Sequence, residues 1–212
     1  MVTLAINTAS RNTQIALLQD NKILKEKEWV SANDESEKLM PEIDKLLKNK
    51  KLKYSDLNEI IVVKGPGSFT GLRVGVSVAN AISYVQKIPV YGVDTFNFLR
   101  AKSNEKDIEV IVLLAGRSEI YVQFEYKGRP MIHKTEEAIK LLKEKGIKKV
   151  SGELLADQKK LFKKIKFLEP KKTFGQALLS IEKKDLEKQD IIEPLYIKGP
   201  GISSPKPIKT QQ

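Results

Sequence analysis

One short segment constrains the fold of this 212-residue chain more than any other. The apolar run Ile60-Ile61-Val62-Val63 predicts a buried strand. Gly65-Pro66-Gly67 then ends the strand pattern, and Ser68 or Thr70 is suited to cap a helix. The helix that follows contains no charged residue from Val74 to Gln86. A strand, a glycine turn and an uncharged helix therefore form the centre of a predicted α/β domain.

Apolar patterns place this unit within a longer series of strands and helices. Residues 2–8, 14–19 and 22–30 are predicted as strands, and residues 35–48 have helical spacing. A strand at 88–93 and a helix from residue 95 follow the central unit, which gives the order β-β-β-α-β-α-β-α. In the second half we predict strands at 110–114 and 119–126, a short strand ending at residue 150, and helices at 136–145, 157–166 and 174–181.

The polar residues 103–109 mark a predicted boundary within the chain. We predict a first lobe at 1–102, a smaller second lobe at 103–198 and a flexible tail at 199–212, where three prolines interrupt any periodicity. The N-terminus is too short and strand-like for a signal peptide, and no apolar run reaches the roughly 20 residues that a membrane helix needs. The lack of cysteine fits a reducing compartment. We therefore expect a cytoplasmic protein without a membrane anchor.

The uncharged helix has two distinct sides. Val74, Val78, Ile82 and Val85 lie along one side and are predicted to face the sheet. Along another side the small residues recur every four positions: Gly71, Gly75, Ala79 and Ser83. Small residues at this spacing allow a second backbone to approach closely. The neighbour is either the helix at 35–48 or a helix of another chain, and the absence of charge around the helix favours the second interpretation.

The glycine turn allows two interpretations. Backbone N–H groups at a helix start bind phosphate in some proteins. This turn is neither a Walker A loop nor a dinucleotide fingerprint, and glycines also serve tight turns and close packing. Asn7, after the first strand, is neutral, whereas Mg²⁺ prefers carboxylates. His133 is the only histidine and cysteine is absent, so a zinc site built on these ligands is excluded. We predict no cofactor, no metal and no catalytic residue.

The chain has a net charge of +11, which is concentrated in its second half. Residues 101–212 hold 24 Lys and Arg against 16 Asp and Glu, whereas residues 1–100 hold 14 against 11. A basic chain is a candidate for nucleic-acid binding. Lysine far outnumbers arginine, however, and a lysine-rich genome composition gives the same numbers. The lysines between Lys159 and Lys166 are therefore either a solvated helix face or a weak contact for tRNA phosphates.

Several segments resemble those of one known family. Residues 65–75, Gly-Pro-Gly-Ser-Phe-Thr-Gly-Leu-Arg-Val-Gly, are similar to the signature of the TsaB family, also called YeaZ. Residues 4–10 resemble its first strand, with Asn7 where the family usually has Asp. Arg117 to Tyr121 and Glu193 to Ile197 resemble two further motifs, the second with Ile-Lys in place of Leu-Arg. The resemblance is close over residues 1–125 and looser beyond them.

The resemblance implies a two-lobed actin-like fold and a subunit that is not itself an enzyme. Members of this family support the enzyme TsaD, together with the ATPase TsaE, in forming threonylcarbamoyladenosine beside the tRNA anticodon. TsaD carries a His-x-x-x-His metal pair, and the aligned positions here are Thr95 and Leu99, which are not metal ligands. The family pairs with TsaD, or with itself when alone, through the helices that correspond to residues 35–48 and 70–86.

The resemblance therefore places the partner interface on those two helices. The residues predicted to form it are Leu39, Ile43, Gly71, Arg73, Gly75, Ala79 and Ser83. Arg73 is the only charge at the start of the second helix, and it serves either an interfacial salt bridge or a ligand. Two alternative functions remain open at this point: a glycoprotease-like hydrolase and a nucleotide-binding sensor that uses the cleft between the lobes.

Overall fold

The computed structural model describes residues 1–32, 34–103 and 108–197, which form two sheets and six α-helices. The first sheet contains, in spatial order, β11 (Glu187–Gln189), β5 (Val90–Asp94), β4 (Glu59–Gly65), β1 (Val2–Asn7), β2 (Asn12–Gln19) and β3 (Lys22–Val30). The second contains β10 (Lys166–Leu168), β9 (Lys149–Glu153), β6 (Val110–Leu114), β7 (Glu119–Gln123) and β8 (Met131–Lys134). The helices are α1 (Glu35–Asn49), α2 (Phe69–Gln86), α3 (Thr95–Lys102), α4 (Thr135–Glu144), α5 (Ala156–Lys160) and α6 (Phe174–Leu179).

The two sheets share one topology. In the first, β1, β2 and β3 form an antiparallel meander, and β4 and β5 then add in parallel beside β1. In the second, β6, β7 and β8 form the meander, and β9 and β10 add in parallel beside β6. Each sheet with its helices forms one lobe. The predicted order of elements in the first lobe is confirmed.

Three apolar clusters hold the layers together. One face of the first sheet packs against α1 and α2, with Leu4, Ile43 and Val76 at its centre. The opposite face packs with α3 and α6 and also meets the second sheet, through Phe98 and Ile111 among others. The far face of the second sheet is covered by α4 and by the segment around Phe162. Because each sheet is covered on both faces, its central strands are apolar throughout, as in β6.

The C-terminal part of the chain returns to the first lobe, which corrects the predicted second lobe at 103–198. β11 pairs antiparallel with β5 at the edge of the first sheet. Phe174 is buried with α3, and Ile192 is buried beneath α2. Most of the second lobe therefore lies between Val110 and Leu168. The predicted tail at 199–212 lies outside the described residues.

The predicted helix at 157–166 is also wrong in extent. The helix stops at Lys160, and turns lead into β10 at Lys166. Phe162 and Ile165 have helical spacing, yet they reach the core of the second lobe from these turns. The chain leaves the helix early because β10 must run beside β9.

Candidate functional site

The glycine turn packs tightly against the segment that follows β1. Ser68 caps α2 by accepting a hydrogen bond from the Gly71 N–H, at 3.2 Å, and its own N–H donates to the Ala9 carbonyl, at 2.7 Å. A Cβ added at Gly67, or at Gly71, would lie well under 3.0 Å from the backbone of Ala9 or Thr8 respectively. The space beside the turn is thus filled by the chain itself, which favours packing over phosphate binding.

The small residues of α2 face inward, which corrects the predicted orientation of this helix. Gly71, Gly75, Ala79 and Ser83 are all buried, and a Cβ at Gly75 would overlap the side chain of Thr8. Of the four residues predicted to face the sheet, Ile82 is buried as predicted, Val74 and Val78 are half-buried, and Val85 is 68% exposed. This side of the helix faces inward because, at Gly71 and Gly75, only glycine leaves room for Thr8 in the segment after β1.

Six of the seven predicted interface residues consequently lie inside the first lobe. Leu39 and Ile43 of α1 are buried in the same cluster as Ala79. Gly71, Gly75 and Ser83 are buried as well, so only Arg73 is exposed. These six residues are buried within the lobe and are not part of its exposed surface.

The opposite side of α2 is exposed and almost free of charge. We call it the outer face of α2, and it consists of Thr70, Arg73, Ser77, Ala81, Tyr84 and Val85, flanked by the half-buried Val74 and Val78. Tyr84 is 86% exposed. An exposed helix face normally carries charged residues, so an uncharged one is typical of a surface that meets another protein.

The charged group of Arg73 lies over an aromatic ring. Its guanidinium lies 4.1 Å from the centre of the Phe69 ring. The Tyr196 ring packs on Phe69 as well, with 5.0 Å between ring centres. Arg73 therefore packs on Phe69 at the edge of the outer face, a contact that the sequence did not predict.

Tyr196 belongs to a C-terminal strap, residues 192–197, that crosses the start and middle of α2. The Asn80 side chain donates to the Ile192 carbonyl at 2.9 Å and accepts from the Ile192 N–H at 3.0 Å. The Leu195 N–H donates to the Lys64 carbonyl at 2.6 Å. The strap thus fixes the family-like motif at 193–197 against the glycine turn.

The residues considered above for metal or nucleotide binding form hydrogen bonds or apolar contacts within the protein. Asn7 is fully buried; its Nδ2 donates to Gln14 Oε1 at 2.9 Å, and its Oδ1 accepts from the Ala9 N–H at 3.0 Å. Thr95 Oγ1 donates to the Pro66 carbonyl at 2.6 Å, and Leu99 lies in the core between the lobes. Within the described ranges, no group of three His, Cys, Asp or Glu side chains could hold a metal ion.

The lysines at 159–166 are partly neutralised by neighbours. Lys159 pairs with Glu169 at 2.6 Å, and Lys160 pairs with Asp157 at 3.2 Å. The remaining lysines of this segment do not lie on one helix face, since the helix ends at Lys160. A contact with tRNA here stays a prediction.

Comparison with known proteins decides the family. A family model described as TsaD, tRNA N6-adenosine threonylcarbamoyltransferase, matches residues 28–190. The chain belongs to the family of TsaD and TsaB (YeaZ). The Bacillus subtilis relative, tRNA threonylcarbamoyladenosine biosynthesis protein TsaB, is 32% identical over 130 residues, covering 60% of this chain. The match spans 57% of the length of that relative.

Solved structures confirm the predicted fold. YeaZ from Pseudomonas aeruginosa has a TM-score of 0.52 and 23% identity, over 62% of this chain and 64% of the other. The activator of 2-hydroxyisocaproyl-CoA dehydratase from Clostridium difficile, with bound ADPNP, has a TM-score of 0.51 and 8% identity, over 85% of this chain and 92% of the other. The fold is therefore actin-like, with two lobes of the same topology. In the described part of the chain, no helix is both long and apolar enough to span a membrane.

Proposed function

We propose that this protein is a non-catalytic subunit in the biosynthesis of threonylcarbamoyladenosine in tRNA. It would act in the cytoplasm, where it would scaffold and activate a TsaD-like enzyme together with a TsaE-like ATPase. The observation that carries the proposal is the outer face of α2, which is exposed, uncharged apart from Arg73, and supported from below by closely packed glycines.

This outer face is proposed as the surface that pairs with the TsaD-like protein. Tyr84 and Val85 are two large exposed side chains on one end of it, and aromatic residues are enriched at protein interfaces. Arg73 at the other end is already packed on Phe69, so little side-chain entropy is lost when a partner covers it. In the absence of the partner, two copies of the same face would form a homodimer.

Three buried positions support a role without catalysis. Thr95 and Leu99 occupy the places that align with the metal-binding histidines of TsaD, and both are buried and packed. Both the nitrogen and the oxygen of the Asn7 side-chain amide form hydrogen bonds within the protein. The family membership supplies the pathway in which such a subunit would act.

Complementation in the native cell tests the proposal. We expect loss of the protein to lower threonylcarbamoyladenosine in tRNA, measured by mass spectrometry of digested tRNA, and wild type to restore it. Ala81→Glu on the outer face should fail to restore the modification and fail to co-purify with a TsaD-like protein. Lys143→Glu on α4, an exposed position in the second lobe, should behave as wild type. Threonylcarbamoyl transfer by the purified protein alone would overturn the non-catalytic role.

A further inference from the structure

Four exposed lysines come together at one end of the second sheet. They are Lys148, directly before β9, Lys163 and Lys164 in the turn before β10, and Lys166, the first residue of β10. Because β9 and β10 run parallel, their starting ends lie at the same edge of the sheet. The Lys166 N–H donates to the Lys148 carbonyl at 2.8 Å, which joins the two segments. We call these four residues the basic edge.

The carboxylates near the basic edge are paired with other groups. Glu109 Oε1 accepts the backbone N–H groups of Lys148 and Lys149, each at 3.2 Å. Three carboxylates from adjoining segments pair with other lysines: Glu144 with Lys140, Asp157 with Lys160, and Glu169 with Lys159. Within residues 1–32, 34–103 and 108–197, no carboxylate forms an ion pair with a side chain of the basic edge. Positive charge is therefore concentrated here without compensation from the described part of the chain.

The chemistry of the basic edge indicates a partner with repeated negative charges, and the phosphates of RNA fit it best. A lysine ammonium group is a compact point charge, which contacts phosphate without reading the base. Phe162, which lies beside these lysines in the chain, is buried and offers no ring for a base to stack on. The four lysines lie on turns and strand starts, whereas basic residues that meet a lipid surface usually lie on a helix with a large apolar face.

We propose that the basic edge contacts the phosphate backbone of tRNA. The choice of tRNA among RNAs rests on the function proposed above. Because the contact is made by lysine charges alone, it is weak, independent of base sequence and strongly dependent on salt. The basic edge belongs to the second lobe and the outer face of α2 to the first. One chain would therefore contact the RNA and the TsaD-like enzyme with different lobes.

Binding of an unmodified tRNA transcript to the purified full chain tests the proposal, with fluorescence anisotropy as the readout. The chain should bind the tRNA in about 50 mM KCl, and the dissociation constant should rise at least about tenfold at about 200 mM KCl, because lysine contacts with phosphate release counterions. Vesicles of phosphatidylcholine and phosphatidylserine serve as the lipid probe and should bind less. No binding of the tRNA in the low salt, or binding of the vesicles in its place, would overturn the proposal.

A matched pair of triple variants separates the basic edge from the net charge of +11. The first replaces three lysines of the basic edge: K163Q, K164Q and K166Q. The second replaces three exposed lysines around the end of α1, on the far side of the first sheet from the second lobe: K48Q, K50Q and K53Q. The first should weaken tRNA binding at least about tenfold and lower the steepness of the salt dependence by roughly two to three phosphate contacts. The second should bind within about threefold of wild type, since distant charges are screened.

Equal affinities of the two triple variants for tRNA would contradict the assignment, because net charge alone would then explain the binding. Both variants should remain folded by circular dichroism, since the six lysines are exposed. The result is also distinct from the test of the proposed function. Absence of tRNA binding by the pure chain would overturn the basic edge and leave the complementation result unchanged. Co-purification of Ala81→Glu with a TsaD-like protein as for wild type would contradict the proposed function and leave tRNA binding unchanged.

Discussion

The two lobes share the strand order β3-β2-β1-β4-β5 and β8-β7-β6-β9-β10, yet their last connections differ sharply. In the first lobe this connection is α2, with 18 residues; in the second it is α5, with five. The outer face of α2 is nearly uncharged, whereas α5 carries Asp157, Lys159 and Lys160. The same topological position thus carries a nearly uncharged exposed face in one lobe and a charged, solvated helix in the other.

The two connections also pack against their sheets in different ways. The inner face of α2 approaches the chain after β1 so closely that glycine is required at Gly71 and Gly75. Because α5 is short, Phe162 and Ile165 from the turns after it complete the apolar layer on the second sheet. We infer that the length and the tight seating of α2 serve to present its outer face.

The largest expected effect comes from the inner face of α2. Gly75→Leu places a side chain where even a Cβ would overlap Thr8, so we expect a loss of about 3 kcal/mol or more in the free energy of unfolding. Urea unfolding measures it. Ser77→Leu, exposed on the outer face, should change stability by less than about 0.5 kcal/mol. Equal stabilities of the two variants would refute the assigned orientation of α2.

A smaller effect is expected where the strap is attached to α2. Asn80→Ala leaves the N–H and the carbonyl of Ile192 without their partner, which should cost about 1–3 kcal/mol. Hydrogen exchange should then be faster at the Ile192 amide than in the strands of the second lobe. Unchanged protection of that amide would show that the strap is held by other contacts.

The smallest effect is expected on α5. Lys160 is 77% exposed in its ion pair with Asp157, and exposed pairs contribute little to stability. Lys160→Ala should therefore change the unfolding free energy by less than about 0.5 kcal/mol in the same urea experiment. A loss comparable to that of Asn80→Ala would mean that α5 is a structural element and not a solvated surface.

The sequence predicted the elements better than their contacts. The turn at Gly65–Gly67 and the helix cap have local signals: the turn is present as predicted, and Ser68, one of the two candidate caps, caps α2. The orientation of α2 had no such signal, because glycines and valines are both compatible with burial and the deciding neighbour, Thr8, is distant in sequence. The bond from Asn80 to Ile192 spans 112 positions and follows no periodicity.

The central claim is that the outer face of α2 binds a TsaD-like protein, and the affinity for that protein tests it most directly. Sedimentation velocity or calorimetry should give a dissociation constant at least tenfold higher for Ala81→Glu than for wild type, because a carboxylate would be buried in an uncharged interface. Lys143→Glu should bind within twofold of wild type, and both variants should unfold as wild type does. Wild-type affinity in a folded Ala81→Glu protein would contradict the claim.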